Sequence, residues 1–425
     1  MLNRTIYIFL TWPLFYLVQS SLIFSKILPS KSLPHLKAEI FQLALHDVRP
    51  ASEGITGFLG DHIKAVLHVK VGQDIKKIPL FVKRVPIGNQ PKADFIDQNN
   101  YYRREKLMFQ LMKEMDGADG PNPWCAESYL FSDTMIVMPD LTAQGYTVLP
   151  LLQTLDLPHV ILAVATLARF HAAFVNYETI NIPNSFYKEH GHILQEPTFQ
   201  ASPWLRTSAK LSADILDAFS TKYNKTTVPD LEDKLYQSYI VACDSLTVED
   251  DTLNVVVHKD LWINNILFKY KDGIPTNCLL IDYQCVRYGP PTFDITSFLY
   301  LNTTRCFREV NEATVFNHYY KIFSENINDG SKKRLALLGY DEKEFLGWCE
   351  KSRMFGAFEA IGIFPQVLMD PESAQRIFDD PETFLTLVEE DRSGPVVEYA
   401  NNSHIYRDRQ LEVTEEFVER YIMSC

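Results

Sequence analysis

From His62 to Val71 polar and apolar residues alternate, with His62, Lys64, His68 and Lys70 set against Ile63, Ala65, Leu67, Val69 and Val71. A period of two predicts a half-buried strand. Ile78–Val85 (IPLFVKRV) predicts a second strand, with Lys83 in its middle. Leu36 to Leu45 has the spacing of a short amphipathic helix. Gln98 to Met112 predicts a longer one, with Tyr102, Glu105, Phe109 and Met112 on one face. Tyr129 to Met138 predicts a hairpin turning at Ser132-Asp133, and Pro139-Asp140-Leu141 a change to irregular chain. Asp156-Leu157-Pro158 starts a helix, with Asp as N-cap and Pro in the first turn. It runs to about Phe174 and is apolar on most faces, so it is placed centrally, with His171 as a satisfied core histidine.

Beyond Ser202 the pattern is helical to Val248, broken at Lys225–Pro229. A Val-rich strand, a loop and a hairpin with a Lys-Asp-Gly turn follow. Tyr288-Gly289-Pro290-Pro291 then breaks the chain, and a helix starts at Thr292. Residues 310–425 are helical, with turns expected near Asp329-Gly330, Asp370-Pro371 and Ser393-Gly394-Pro395. Strands gathered early and helices late predict an α+β chain.

The densest chemistry lies in His258-Lys259-Asp260-Leu261-Trp262-Ile263-Asn264-Asn265, followed by Leu280-Ile281-Asp282-Tyr283. An Asp and an Asn leaving one tight loop, with a second Asp from the next hairpin strand, is the pattern of a phosphoryl-transfer centre. One carboxylate takes the proton of the attacking hydroxyl; the Asn and the other carboxylate hold Mg²⁺. Lys83 on a strand and Glu105 on the following helix have the order of a phosphate-clamping ion pair. Gly57 and Gly60, just before the alternating strand, stand where a loop could lie over phosphates. Met138 and Asp140 stand where backbone groups could meet adenine.

Composition narrows the field. The 425 residues are 46% hydrophobic and 22% charged, enough for one large or two medium cores. A net charge of −13 argues against a nucleic-acid or anionic-membrane binder. Seven scattered cysteines with no C-x-x-C pair fit reduced thiols rather than a disulfide framework or a zinc site. Thr5 to Phe24 is 20 residues long and uncharged. That length can span a bilayer, act as a signal peptide with small residues at Ser20-Ser21, or dock as an apolar helix. Lys26, Lys31 and Lys37 after it favour keeping the following domain in the cytoplasm.

On these residues the chain resembles the ecdysteroid kinase-like family, related to the choline kinase and aminoglycoside phosphotransferase groups. The resemblance covers about residues 45–420. It is carried by Asp260-Leu261-Trp262, Asn264-Asn265, Leu280-Ile281-Asp282-Tyr283-Gln284, Arg287-Tyr288-Gly289, Asp294, and the helices around His171 and Tyr102-x-x-Glu105. It implies a two-lobed protein-kinase-like fold: an apolar segment over 1–30, an antiparallel-sheet lobe over 31–140, and a mainly helical lobe over 141–425. It further implies ATP in the cleft, Asp260 as catalytic base, and Asn265 and Asp282 as Mg²⁺ ligands. Lys83 and Glu105 become the phosphate lysine and its partner, and Asp294 an anchor of the catalytic loop. Two positions depart from the family. Lys259 stands where a glycine is usual and is expected to need no special backbone conformation. Pro139 replaces an acidic residue at the interlobe hinge.

The implied activity is transfer of the γ-phosphoryl group of ATP to a hydroxylated small molecule, by a monomer. A protein kinase fits less well, because Tyr283-Gln284 follows Asp282 and no A-P-E segment is present. A catalytically silent binding protein is the other alternative, although Asp260, Asn265, Asp282 and Lys83 are all in place. Trp204, Tyr236, Trp348, Phe355, Phe358, Ile361 and Phe364 are weighed between core and acceptor pocket, and Glu359 is the one obvious carboxylate in that run. The absence of a basic cluster there speaks against an anionic acceptor and for a neutral, lipophilic alcohol such as an ecdysteroid.

Overall fold

The computed structural model describes residues 40–51, 60–71, 73–86, 88–115, 117–182, 185–196, 199–378, 380 and 382–424. Gly57 and the apolar run 5–24 lie outside the described residues.

The first half is a five-stranded antiparallel sheet ordered β1-β2-β3-β5-β4. Its strands are β1 (Ile40–Pro50), β2 (Asp61–Val71), β3 (Asp74–Arg84), β4 (Leu130–Phe131) and β5 (Met135–Pro139). The alternation of β2 is real: Ile63, Ala65, Leu67 and Val69 are buried on one face. Of the helix expected over Leu36–Leu45, residues 40–45 are instead strand in β1, which pairs with β2 from Ile40↔Val71 to Pro50↔Ile63, and residues 36–39 lie outside the described residues. A ladder partner satisfies the backbone along the whole stretch, and that outweighs a short local periodicity. The helix expected over Gln98–Met112 is α2 (Tyr101–Glu114), and a separate helix, α1 (Gln90–Gln98), precedes it. The break is Asn100, which is left-handed at φ 57° and caps α2.

Across the hinge come β6 (Tyr146–Thr147), α3 (Leu157–Asn181), α4 (Phe186–His190), α5 (Pro203–Phe219) and α6 (Leu231–Asp244). Asp156 caps α3 by accepting from the His159 amide, as its sequence position predicts. Helix α3 is long and apolar enough to cross a membrane, but two-thirds of its apolar window is buried inside the protein, so it is the central core helix. Next are β7 (Val255–Val257), β8 (Ile266–Lys271), β9 (Ile274–Leu280) and β10 (Arg287–Gly289). β8 and β9 form the expected hairpin, turning at Asp272-Gly273 with both residues at positive φ.

The chain ends in α7 (Thr292–Asn302), α8 (Arg305–Asn326), α9 (Asp329–Leu338), α10 (Glu342–Val367), α11 (Pro371–Phe378), α12 (Phe384–Glu389), α13 (Ser393–Asn402) and α14 (His404–Tyr421). The turns expected at Asp329-Gly330, Asp370-Pro371 and Ser393-Gly394-Pro395 fall at the starts of α9, α11 and α13. There a short polar residue or a proline suits the first helical turn. Gly356 lets α10 lie directly on α7, since a Cβ there would stand 2.9 Å from the Ser297 amide nitrogen. The architecture is protein-kinase-like: an antiparallel sheet with its helices, then a helical body, with the loop over 258–265 and the β8–β9 hairpin facing the sheet through the Asp282–Lys83 contact.

Candidate active site

Lys83 lies in the middle of β3 and is 3% exposed. Its Nζ donates to Glu105 Oε2 at 2.7 Å, to Asp282 Oδ1 at 2.5 Å and to Gln284 Oε1 at 2.9 Å. One ammonium therefore joins the sheet, α2 and the end of the β9 hairpin. Burial opposes its charge, but the Asp282 and Glu105 carboxylates outweigh that and hold its pKa above the ordinary lysine value. Burial pushes the Glu105 carboxyl upward, with Lys83 opposing. Gln284 is a partner that the motif did not predict. Gly60 approaches the same corner, where a Cβ would meet the Tyr102 hydroxyl at 2.8 Å and the Arg84 carbonyl oxygen at 3.2 Å.

The loop after β7 is fixed from below by Asp294 at the start of α7. Its buried carboxylate accepts from the His258 amide at 2.6 Å and the Lys259 amide at 2.7 Å. His171 Nε2 meets the same carboxylate at 3.0 Å, and His171 Nδ1 meets the Tyr319 hydroxyl at 2.6 Å. The core histidine of α3 thus orients the residue that holds the loop. His258 Nε2 lies 2.9 Å from the Ile281 carbonyl, tying the loop to the hairpin strand.

Asn265 Nδ2 donates to the Asp260 carbonyl at 2.8 Å and to Asp260 Oδ2 at 3.0 Å. Burial raises the Asp260 carboxyl from the usual aspartate range to about 7. The Asp282 charge adds to this, against Lys83 and the Asn265 hydrogen bond. A carboxylate poised near neutrality is suited to general-base work. Asp282 is left-handed at φ 67°, a conformation that aspartate tolerates better than most non-glycine residues.

The donor set fits a Mg²⁺ ion. With Nδ2 turned to Asp260, Asn265 Oδ1 has no protein donor among the described residues, and Asp282 supplies carboxylate oxygens close by. Such hard oxygen donors suit Mg²⁺ rather than a soft metal.

Lys259 departs from expectation. It sits at φ 58°, the left-handed region where glycine is unstrained, so the position does need a special conformation. Its buried side chain is held in compensation: Nζ is 2.5 Å from both Glu196 carboxylate oxygens and 4.2 Å from the centre of the Phe199 ring. Arg287 Nη1 also reaches Glu196, at 3.2 Å. Burial disfavours the Glu196 charge, yet Lys259 and Arg287 prevail and lower its pKa to about 2. Glu196 carried no sequence signal, because it lies 63 residues before Lys259 in irregular chain.

At the hinge, Asp140 N–H donates to the Pro79 carbonyl and the Ala143 amide donates to the Asp140 carbonyl. Its carboxylate takes Lys64 at 3.0 Å. Val85 N–H donates to Thr134 O, and antiparallel alternation from these two points turns the Met138 backbone groups toward Phe81. The backbone groups of Met138 and Asp140 are thus engaged inside the protein. The alternation leaves the Pro139 carbonyl facing away from β3. An acceptor contact at Pro139 needs no N–H, so proline is compatible with it.

A cavity of about 200 Å³ opens beside Asp260 and Asp282, walled by Tyr101, Phe199, Trp204, Trp262, Ile363 and Val388. Of the aromatic residues weighed in the sequence, only Trp204 lines it. Phe355, Phe358 and Phe364 are core, Trp348 donates to Glu344, and Tyr236 stacks with Arg206.

Residues 57–330 match the sequence model of the ecdysteroid kinase-like family. No curated protein matches the sequence. Among solved structures, choline kinase from Cryptosporidium parvum Iowa II aligns at 10% identity and a TM-score of 0.44, over 89% of this chain and 92% of that one. A mutant aminoglycoside 2'-phosphotransferase-IIIa in its GDP complex aligns at 14% identity and a TM-score of 0.34, over 85% and 95%.

Proposed function

The chain belongs to the ecdysteroid kinase-like family, and from that premise we propose that it transfers the γ-phosphoryl group of ATP to the hydroxyl of a neutral, lipophilic small molecule. The observation that carries this is the convergence of Lys83, Glu105 and Asp282 beside Asp260 and Asn265, at the mouth of a largely apolar cavity.

Lys83, braced by Glu105, is placed to bind the nucleotide phosphates. The Pro139 carbonyl is the hinge group offered to adenine. Asp260 accepts the proton of the acceptor hydroxyl as its oxygen attacks, and Asn265 keeps the carboxylate turned. Asp294, held by His171, keeps the loop in place throughout. Mg²⁺ held by Asn265 and Asp282 would neutralise phosphate charge. The cavity wall selects an apolar acceptor by burial, at roughly 25 cal/mol per Å².

Calorimetric titration of the protein with ATP tests this. We expect binding that strengthens with Mg²⁺ and loses that gain in Asp282→Ala. A Mg²⁺ gain retained in Asp282→Ala would overturn the assignment of Asp282.

A further inference from the structure

The acceptor cavity holds a carboxyl group that phosphoryl transfer does not use. Glu359 lies on α10, is 1% exposed, and lines the same cavity as Asp260. Its Oε2 is buried with no hydrogen-bond partner among the described residues. An unsatisfied buried carboxyl oxygen is expensive and calls for a partner. The nearby cation does not fill this place: the Lys259 Nζ lies 2.5 Å from both Glu196 carboxylate oxygens and makes no hydrogen bond to Glu359 among the described residues. Helix α10, which carries Glu359, is packed closely on both sides. Gly356 presses it against α7, and a Cβ at Gly362 would stand 2.8 Å from the Trp204 ring.

We propose, on the premise that the chain acts on a neutral alcohol, that Glu359 is a specificity residue that donates a hydrogen bond to a second oxygen function of the acceptor. The acceptor class is thereby a hydroxylated lipophilic compound bearing a further carbonyl or hydroxyl oxygen, rather than a simple apolar alcohol. The charged groups facing Glu359 fit this chemistry. Burial raises its pKa to about 8, with Lys259 and the Ser297 hydroxyl opposing and the Asp260 and Asp294 carboxylates adding. A carboxylic acid kept neutral at pH 7 is a donor, and it avoids placing another negative charge beside Asp260.

The experiment is ligand binding to the full chain, read by quenching of tryptophan fluorescence at Trp204 and Trp262 on the cavity wall. The probes are a monohydroxy steroid, its hydroxy-ketone counterpart and choline. The wild type is expected to prefer the hydroxy-ketone over the monohydroxy steroid by about tenfold, the worth of one good buried hydrogen bond. Glu359→Leu should erase that preference, and Glu359→Gln, which keeps a donor, should retain most of it. Infrared difference spectra between wild type and Glu359→Gln should show a protonated-carboxyl band that is lost in the variant. No preference in the wild type, equal effects of Leu and Gln, or no such band would overturn the inference. So would choline binding that depends on Glu359, which would make the group an anionic partner for a cation. Because binding and not turnover is read, loss of the preference is distinct from a failure of phosphoryl transfer itself.

Discussion

Breaking the ion pair under the catalytic loop by Glu196→Gln strands a buried cation. The Lys259 side chain is 1% exposed and Glu196 11%, so solvent screens the pair little. Removing one partner of such a pair costs about 3–5 kcal/mol. Lys259→Gly differs in sign for one part of its effect. It removes the charge, but it also places glycine at φ 58°, relieving roughly 1 kcal/mol of left-handed strain. Glu196 then keeps Arg287 at 3.2 Å. The net cost of Lys259→Gly should be about 1–2 kcal/mol, and Glu196→Gln made in that background should cost about 1–2 kcal/mol instead of 3–5. The coupling is therefore about 1–4 kcal/mol, at least roughly a fivefold change in the unfolding constant. Urea unfolding of the four proteins, followed by tryptophan fluorescence, measures it. Coupling below about 0.5 kcal/mol would refute the argument that Lys259 depends on Glu196.

Asp260→Asn should leave the fold and nucleotide affinity nearly intact and lower turnover by about 10²–10⁴-fold, since a positioned base is lost; turnover like the wild type removes Asp260 from the mechanism. With the Asp260 carboxyl raised to about 7, kcat/KM for ATP should fall as pH drops through 7, because the protonated acid cannot accept the hydroxyl proton. A profile flat down to pH 5 would contradict this. Asp294→Ala unpins the His258 and Lys259 amides and His171, and should cost about 3 kcal/mol or more in thermal or urea unfolding. Lys83→Met should weaken nucleotide binding, and a double-mutant cycle with Glu105→Gln should show coupling of at least about 1 kcal/mol.

Where chemistry is local in sequence, it was legible. The loop after β7, its hairpin and Asp294 span residues 255–294, so spacing alone brought Asp260, Asn265, Asp282 and the anchor together. Lys83 and Glu105 were readable because a strand and the following helix meet by adjacency. Glu196 and Gln284 were not, since their meaning lies in a partner far along the chain. Lys259 misled because residue identity suggested an ordinary conformation; only the geometry shows a left-handed backbone held by a buried ion pair. Residues 40–45 misled in another way, by carrying a helical period in a stretch whose ladder partner was out of view. The acceptor wall mixed with the core for the same reason: aromatic residues look alike in sequence, and only packing separates Phe358 on α10 from the cavity-lining Trp204 on α5.

The most direct test of the central claim is transfer of label from γ-labelled ATP to a panel of hydroxylated small molecules, with the Asp260→Asn protein as control. The account predicts Mg²⁺-dependent labelling of one or more neutral lipophilic alcohols by the wild type, and its near-complete loss in the control. Efficient labelling of choline or an aminoglycoside with no lipophilic alcohol labelled, or labelling unchanged in Asp260→Asn, would contradict it.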